Sequence, residues 1–160
     1  MPPERERLVA TLAALPARLE ALVAGLSAAE LTAHYLAGEW SVAQNVHHLV
    51  DSHMNSYVRC KLILTEERPT LKPYDQDAWA ALPDGAEADI AVSLAILRGL
   101  HERWARFWRA LPESAWAREG LHPEAGPMSL DDILRSYAAH GEGHLDQIGR
   151  TLAAGASTSS

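Results

Sequence analysis

A regular run of leucines near the start of the chain restricts the possible folds more than any other feature. Leu8, Leu12, Leu15, Leu19, Leu22 and Leu26 follow one another in steps of four and three. That interval holds side chains on one face of an α-helix for about five turns. Signals for strands are scarce, so the stripe has to be buried against further helices rather than a sheet. Pro16 falls inside the run, and its position predicts either a kink or a fresh helix beginning in its first turn.

Three more long helices are expected. Ser27 with Glu30 forms a capping box that opens one short turn, and Ser41 with Gln44 forms a second box, opening a helix to about Glu67. Residues 68–85 hold three prolines and a glycine and read as a long connection, with one helical turn at Asp77–Leu82. Connections of that length in small domains commonly carry function. A third helix covers about Ala86 to Ala110, with Ile90, Leu94, Leu97, His101, Trp104 and Trp108 on one side. Residues 111–129 are irregular, with room for a small hairpin. Ser129 and Asp132 cap a fourth helix to about Leu152, and residues 153–160 read as a flexible tail. The expected architecture is all-α: an up-and-down four-helix bundle with long connecting loops, in a single domain over residues 1–152.

Composition removes several function classes. No apolar run approaches the 18 or so residues of a membrane span, and the start, Met1-Pro2-Pro3-Glu4-Arg5, has no signal-peptide pattern. A cytoplasmic protein without a membrane partner is expected. The formal net charge is −7, and Lys and Arg form no stripe, which argues against a nucleic-acid partner. Cys60 is the only cysteine, which rules out an internal disulfide and a thiolate metal cage. It reads as a small core residue, and any metal site must be built from histidine and carboxylate.

The fourth helix offers such a site. Ile133, Tyr137, His140, His144 and Ile148 share one stripe, so two imidazoles one turn apart face inward together. This is the geometry that brings two ring nitrogens to one ion. Gly141 and Gly143 flank the pair, although glycine costs about 1 kcal/mol relative to alanine inside a helix. Their lack of side chains admits a neighbouring helix or a ligand. The alternative is two core histidines, each bonded separately.

A third ligand would come from the second long helix, within "NVHHLVDSHMNSY", which holds His47, His48 and His53. At 100° per residue, Val42, Val46, Leu49, Val50, His53, Tyr57 and Leu64 form the apolar stripe. His48 lies opposite, with Gln44, Asp51, Ser52 and Asn55. Either His53 is the inward histidine, or the polar stripe lines a wet cavity and His48 reaches into it. Periodicity leaves both open.

The stretch "EWSVAQNVHHLVDSHMNSYVRCKLILTEERPTLKPYDQDAWAALPD" resembles the DinB-like superfamily of four-helix metalloproteins. It is most similar to the branch of bacillithiol S-transferases, which is also described in terms of metal-dependent hydrolases. The similarity extends from "LPARLEALVAGLSAAEL" to "HPEAGPMSLDDILRSYAAHGEGHL". The resemblance implies that His48, eight residues after Trp40 and just ahead of Leu49-Val50-Asp51, is a metal ligand, with His47 and His53 as the competing choices. It implies His140 and His144 as the other two ligands, a cavity facing the polar stripe, and a homodimer. The chain departs from its relatives at Gly143 and Gln147, where they are richer in histidine, and this leaves the three ligands in place. One divalent metal ion per chain is expected, zinc first, with nickel, iron and manganese able to take the same site.

Three neutral imidazoles leave such an ion its full charge, which acidifies a bound water or thiol. The resemblance implies transfer of a low-molecular-weight, bacillithiol-like thiol to an electrophilic small molecule. The alternatives are hydrolysis by metal-activated water and a metal-binding stress protein without turnover. Asp51 is expected to orient His48 from one turn away, and Glu142 to point into solvent. Asn55, Arg59 and Tyr137 are candidates for the cavity wall, and no side chain stands out as the general base.

Overall fold

Pro3 opens the first helix, α1 (Pro3–Val23), which runs as one element through Pro16. The computed structural model describes residues 1–158. The capping box of Ser27 and Glu30 starts the short α2 (Ala28–Thr32), and that of Ser41 and Gln44 starts α3 (Val42–Thr65). Two single-turn helices follow, α4 (Gln76–Ala80) and α5 (Pro83–Ala86), then α6 (Ala91–Arg109). A hairpin of β1 (Glu119–His122) and β2 (Gly126–Ser129) leads into α7 (Leu130–Thr158). No described helix is long and apolar enough to cross a membrane.

Two boundaries differ from expectation. The helix expected from about Ala86 begins at Ala91 instead. Pro83 nucleates α5 separately, Glu87 is extended, and the Asp89 carboxylate accepts from the Ala91 N–H to start α6. Helix α7 continues beyond Leu152 to Thr158, where a tail was expected. The alanines there favour helix, and Gly155 seats that turn on Tyr35, whose ring lies 2.6 Å from where a Cβ would stand. Residues 159 and 160, the end of that expected tail, lie outside the described residues.

Four long helices form the bundle, as expected, but their directions do not simply alternate. Contacts between Leu12 and His101 and between Glu20 and Arg98 run α1 and α6 antiparallel. Arg5 with Asp131 and Arg18 with Glu142 set α1 and α7 parallel. Asn45 with His144 and His53 with His140 set α3 and α7 antiparallel. His47 with Ser93 and His53 with His101 make α3 and α6 parallel. The order is therefore up, down, down, up. A parallel pair requires a connection that travels back along the bundle, and α6, with 19 residues, is roughly 28 Å long. Residues 66–90 make that return. On the way, the fully buried Leu71 donates its N–H to the Leu121 carbonyl at 2.9 Å.

The core has two apolar clusters at different heights. One gathers Leu15, Leu19, Val46, Leu49, Leu97 and Ile148; the other gathers Leu12, Cys60, Ile63, Trp104, Trp108 and Ile133. Each of α3, α6 and α7 carries a histidine between those levels: His53, His101 and His140. The two glycines beside His140 serve different ends. A Cβ on Gly141 would stand 2.7 Å from Leu15 Cδ2, so this glycine lets α1 close onto α7. Nothing lies within 4 Å of a Cβ on Gly143. Gly143→Ala is expected to raise stability by about 1 kcal/mol, whereas Gly141→Ala gains the same propensity and loses it to the crowded leucine. Urea unfolding of the two variants should move the midpoint up for the first and not for the second.

Candidate metal centre

The capping box at Ser41 fixes where α3 begins, and His48 lies about two turns inside it. Helix α7 runs antiparallel alongside and brings His140 and His144 opposite. The Nε2 atoms converge: His48 to His140 at 3.3 Å and His144 to His140 at 3.2 Å. All three residues offer ring nitrogens within 4.8 Å of one another. Two nitrogens about 2.0–2.1 Å from one ion, at a near-tetrahedral angle, lie roughly 3.3–3.4 Å apart. The spacing thus fits a single divalent ion.

Burial keeps these rings uncharged. It lowers His48 to about 4, with a further push from His144. It lowers His140 to about 3, helped by His144 and His48. His144 falls to about 4 for the same reason. At neutral pH each is therefore a neutral imidazole, the form that binds metal. With their protons on the outer nitrogens, the three rings would turn lone pairs toward one another at these distances, an arrangement that a cation between them relieves.

The outer nitrogens are also held. Asn45 Oδ1 lies 2.7 Å from His144 Nδ1, and the Asn45 amide donates to the Ser41 carbonyl at 2.9 Å. His53 Nε2 lies 3.1 Å from His140 Nδ1, and His53 Nδ1 lies 2.8 Å from His101 Nε2. His101 Nδ1 ends the series on the Leu12 carbonyl at 2.6 Å. Trp40 packs its ring edge-on against His48, with centroids 4.6 Å apart.

Both readings of α3 thus hold a part of the arrangement. His53 is the fully buried, inward histidine, yet it meets the far side of His140. His48 reaches the shared point from the polar stripe. His47 is turned to the start of α6, where its nitrogens meet Ser93 Oγ at 2.8 Å and the Glu87 carbonyl at 3.0 Å. Asp51 does not orient His48: no hydrogen bond joins them among the described residues. Burial and the nearby Asp84 push the Asp51 carboxyl upward instead. Asn45, to which the sequence reading assigned no role, orients His144 rather than His48. Glu142 is paired with Arg18 at the surface. Cys60 is fully buried, and burial drives its thiol up to about 12, so it is no nucleophile.

Two recesses meet at His140. One, of about 500 Å³, is bordered by Ser52, Arg59, Tyr74, Tyr137 and His140. The other, of about 320 Å³, is bordered by Trp40, Asp77, His140, His144 and Gln147. Gln76 borders both. The proline-rich connection therefore walls the site, as its length suggested. Arg59 and Tyr137 do line a cavity. Asn55 instead donates to the Asp51 carbonyl on its own helix at 2.9 Å.

Comparison with known proteins agrees with this fold. A family model described as the DinB superfamily matches residues 11–148. YfiT of Bacillus subtilis is 40% identical over 146 residues, spanning 91% of this chain and 82% of that protein. Its solved structure superimposes with a TM-score of 0.90 at 38% identity, covering 94% of this chain and 87% of the other. That structure is described as a probable metal-dependent hydrolase with an unusual four-helix bundle topology. OB0782 of Oceanobacillus iheyensis, with a matching designation, is 42% identical over 134 residues, 84% of this chain and 77% of its own.

Proposed function

The chain belongs to the DinB superfamily, and on that footing we propose that it is a metal-dependent hydrolase holding one divalent ion, zinc first, on His48, His140 and His144. The observation that carries this reading is the meeting of three neutral imidazoles at 3.2 and 3.3 Å. The designations of the relatives support the reaction class. When bound, the ion acidifies a water and polarises a carbonyl or similar centre.

The protein's own groups do the remaining work. Asn45 and His53 hold two of the imidazoles from behind, so that the site does not have to reorganise on loading. Trp40 covers one flank of His48 with its ring. Arg59 and Tyr137 offer donors in the larger recess, where a polar substrate group can be received while its reacting end lies at His140.

A second reading, transfer of a small thiol to an electrophile, is favoured by one observation. Two separate recesses adjoin His140, and a two-substrate reaction needs two places. Turnover assays on zinc-loaded and chelator-stripped protein separate the readings. Release of acid from simple esters or amides, lost on stripping and restored by zinc, supports hydrolysis. Metal-dependent consumption of thiol and electrophile in equal amounts, without hydrolysis, supports transfer. Full metal occupancy with neither reaction would leave a binding protein.

A further inference from the structure

Helix α1 continues through Pro16, and a proline has no N–H to give the carbonyl four residues before it. That carbonyl is Leu12's. It does not go unused, for its oxygen lies 2.6 Å from His101 Nδ1. A carbonyl only accepts, so His101 carries its proton on Nδ1. Its ring is neutral, since burial lowers it to about 4, and Nε2 is therefore bare.

The direction of the next two bonds follows. His53 Nδ1, at 2.8 Å, must donate to that bare nitrogen. His53 is also neutral, being fully buried with only other imidazoles at its two nitrogens. Its Nε2 thus accepts from His140 Nδ1 at 3.1 Å. His140 is left with its proton on Nδ1 and an unprotonated Nε2, the atom that faces His48 and His144.

We propose that His101 and His53 are positioning residues of the metal centre. The carbonyl that Pro16 leaves unbonded in α1 orients a line of hydrogen bonds through α6 and α3. That line presents His140 in the single tautomer able to ligate. This rests on the three-histidine reading above. Without the line, His140 is free to carry its proton on Nε2, and the ion has to displace that tautomer before binding.

Zinc affinity, measured by competition with a chromophoric chelator, tests the assignment in wild type, His101→Leu and His101→Gln. The leucine variant has no acceptor for His53 and is expected to bind zinc about 10- to 100-fold more weakly. Glutamine can accept from His53 with its oxygen and donate to Leu12 with its amide. It is expected to stay within a few-fold of wild type, which a packing role alone would not predict. Long-range ¹H–¹⁵N spectra of the metal-free wild type should show His140 protonated at Nδ1, and this readout survives even if His101→Leu fails to fold. A proton on Nε2 there, or wild-type affinity in His101→Leu, overturns the proposal. Failure of the wild type to bind zinc at all would instead overturn the three-histidine reading, with the spectra still deciding the tautomer.

Discussion

His140→Ala is expected to emerge from purification without metal, under conditions where the wild type retains about one ion per chain. His140 is the middle member of the cluster, in contact with both other Nε2 atoms. Structural zinc sites bind with about 10–16 kcal/mol in all, so one of three or four ligands is worth roughly 3–5 kcal/mol. That corresponds to a loss of affinity of at least about 10²-fold. His47→Ala is the informative control. It also removes a buried imidazole from the same bundle, but one committed to Ser93 and the Glu87 carbonyl. Elemental mass spectrometry on untagged protein should find metal in the second variant and none in the first. Loss from both would mean that metal is retained by the general integrity of the fold and not by the three converging nitrogens.

Acid should unfold the metal-free protein well above the pH at which carboxylates titrate. Five histidines have pKa values lowered by burial: His48, His101 and His144 to about 4, His140 to about 3, and His53 well below its ordinary value. In the unfolded chain each titrates near 6.5. Between those values the unfolded chain binds protons that the folded one refuses. Stability is therefore complete above about pH 7 and is lost as pH falls from about 6.5 toward 4. Each histidine contributes up to about 1.4 kcal/mol per pH unit in that window. His53 and His101, sealed in the core, weigh most, while His140 and His144 border open recesses and weigh less. The sum is comparable with the whole stability of a typical domain. Thermal unfolding followed by circular dichroism should give a much lower midpoint at pH 5 than at pH 8. Zinc should restore part of the difference, because it binds the neutral rings of the folded state only. A flat profile from pH 8 to pH 5 would mean that the imidazoles charge within the folded bundle.

The helices themselves were legible because their signals are local. The leucine steps, the Ser41–Gln44 box and the Ser129–Asp132 box each depend on residues within a few turns, and each has its expected partner in the structure. The parallel placement of α3 and α6 was not legible. Periodicity reports which face is buried but not which way a helix points after a long connection. The helical wheel likewise identified His53 as inward and could not say that an outward His48 would find a cavity on its side. His101 looked like one more residue of the stripe that includes Trp104 and Trp108. Its partner is a backbone carbonyl from another helix, and no sequence pattern announces that. Pro16 read as an interruption of α1, whereas the structure uses the donor it lacks.

Leucine-striped helices pack almost equally well after sliding past one another by a turn, since one leucine then takes the place of another. The layer of His53, His101 and His140 between the two apolar clusters removes that degeneracy. A slip of one turn, about 5.4 Å, would strand imidazoles among aliphatic side chains and leave their nitrogens unsatisfied. With the Leu12 carbonyl of α1 at its end, the buried layer acts as a register mark for all four helices at once. Alignment of the bundle and assembly of the three-imidazole cluster become a single event.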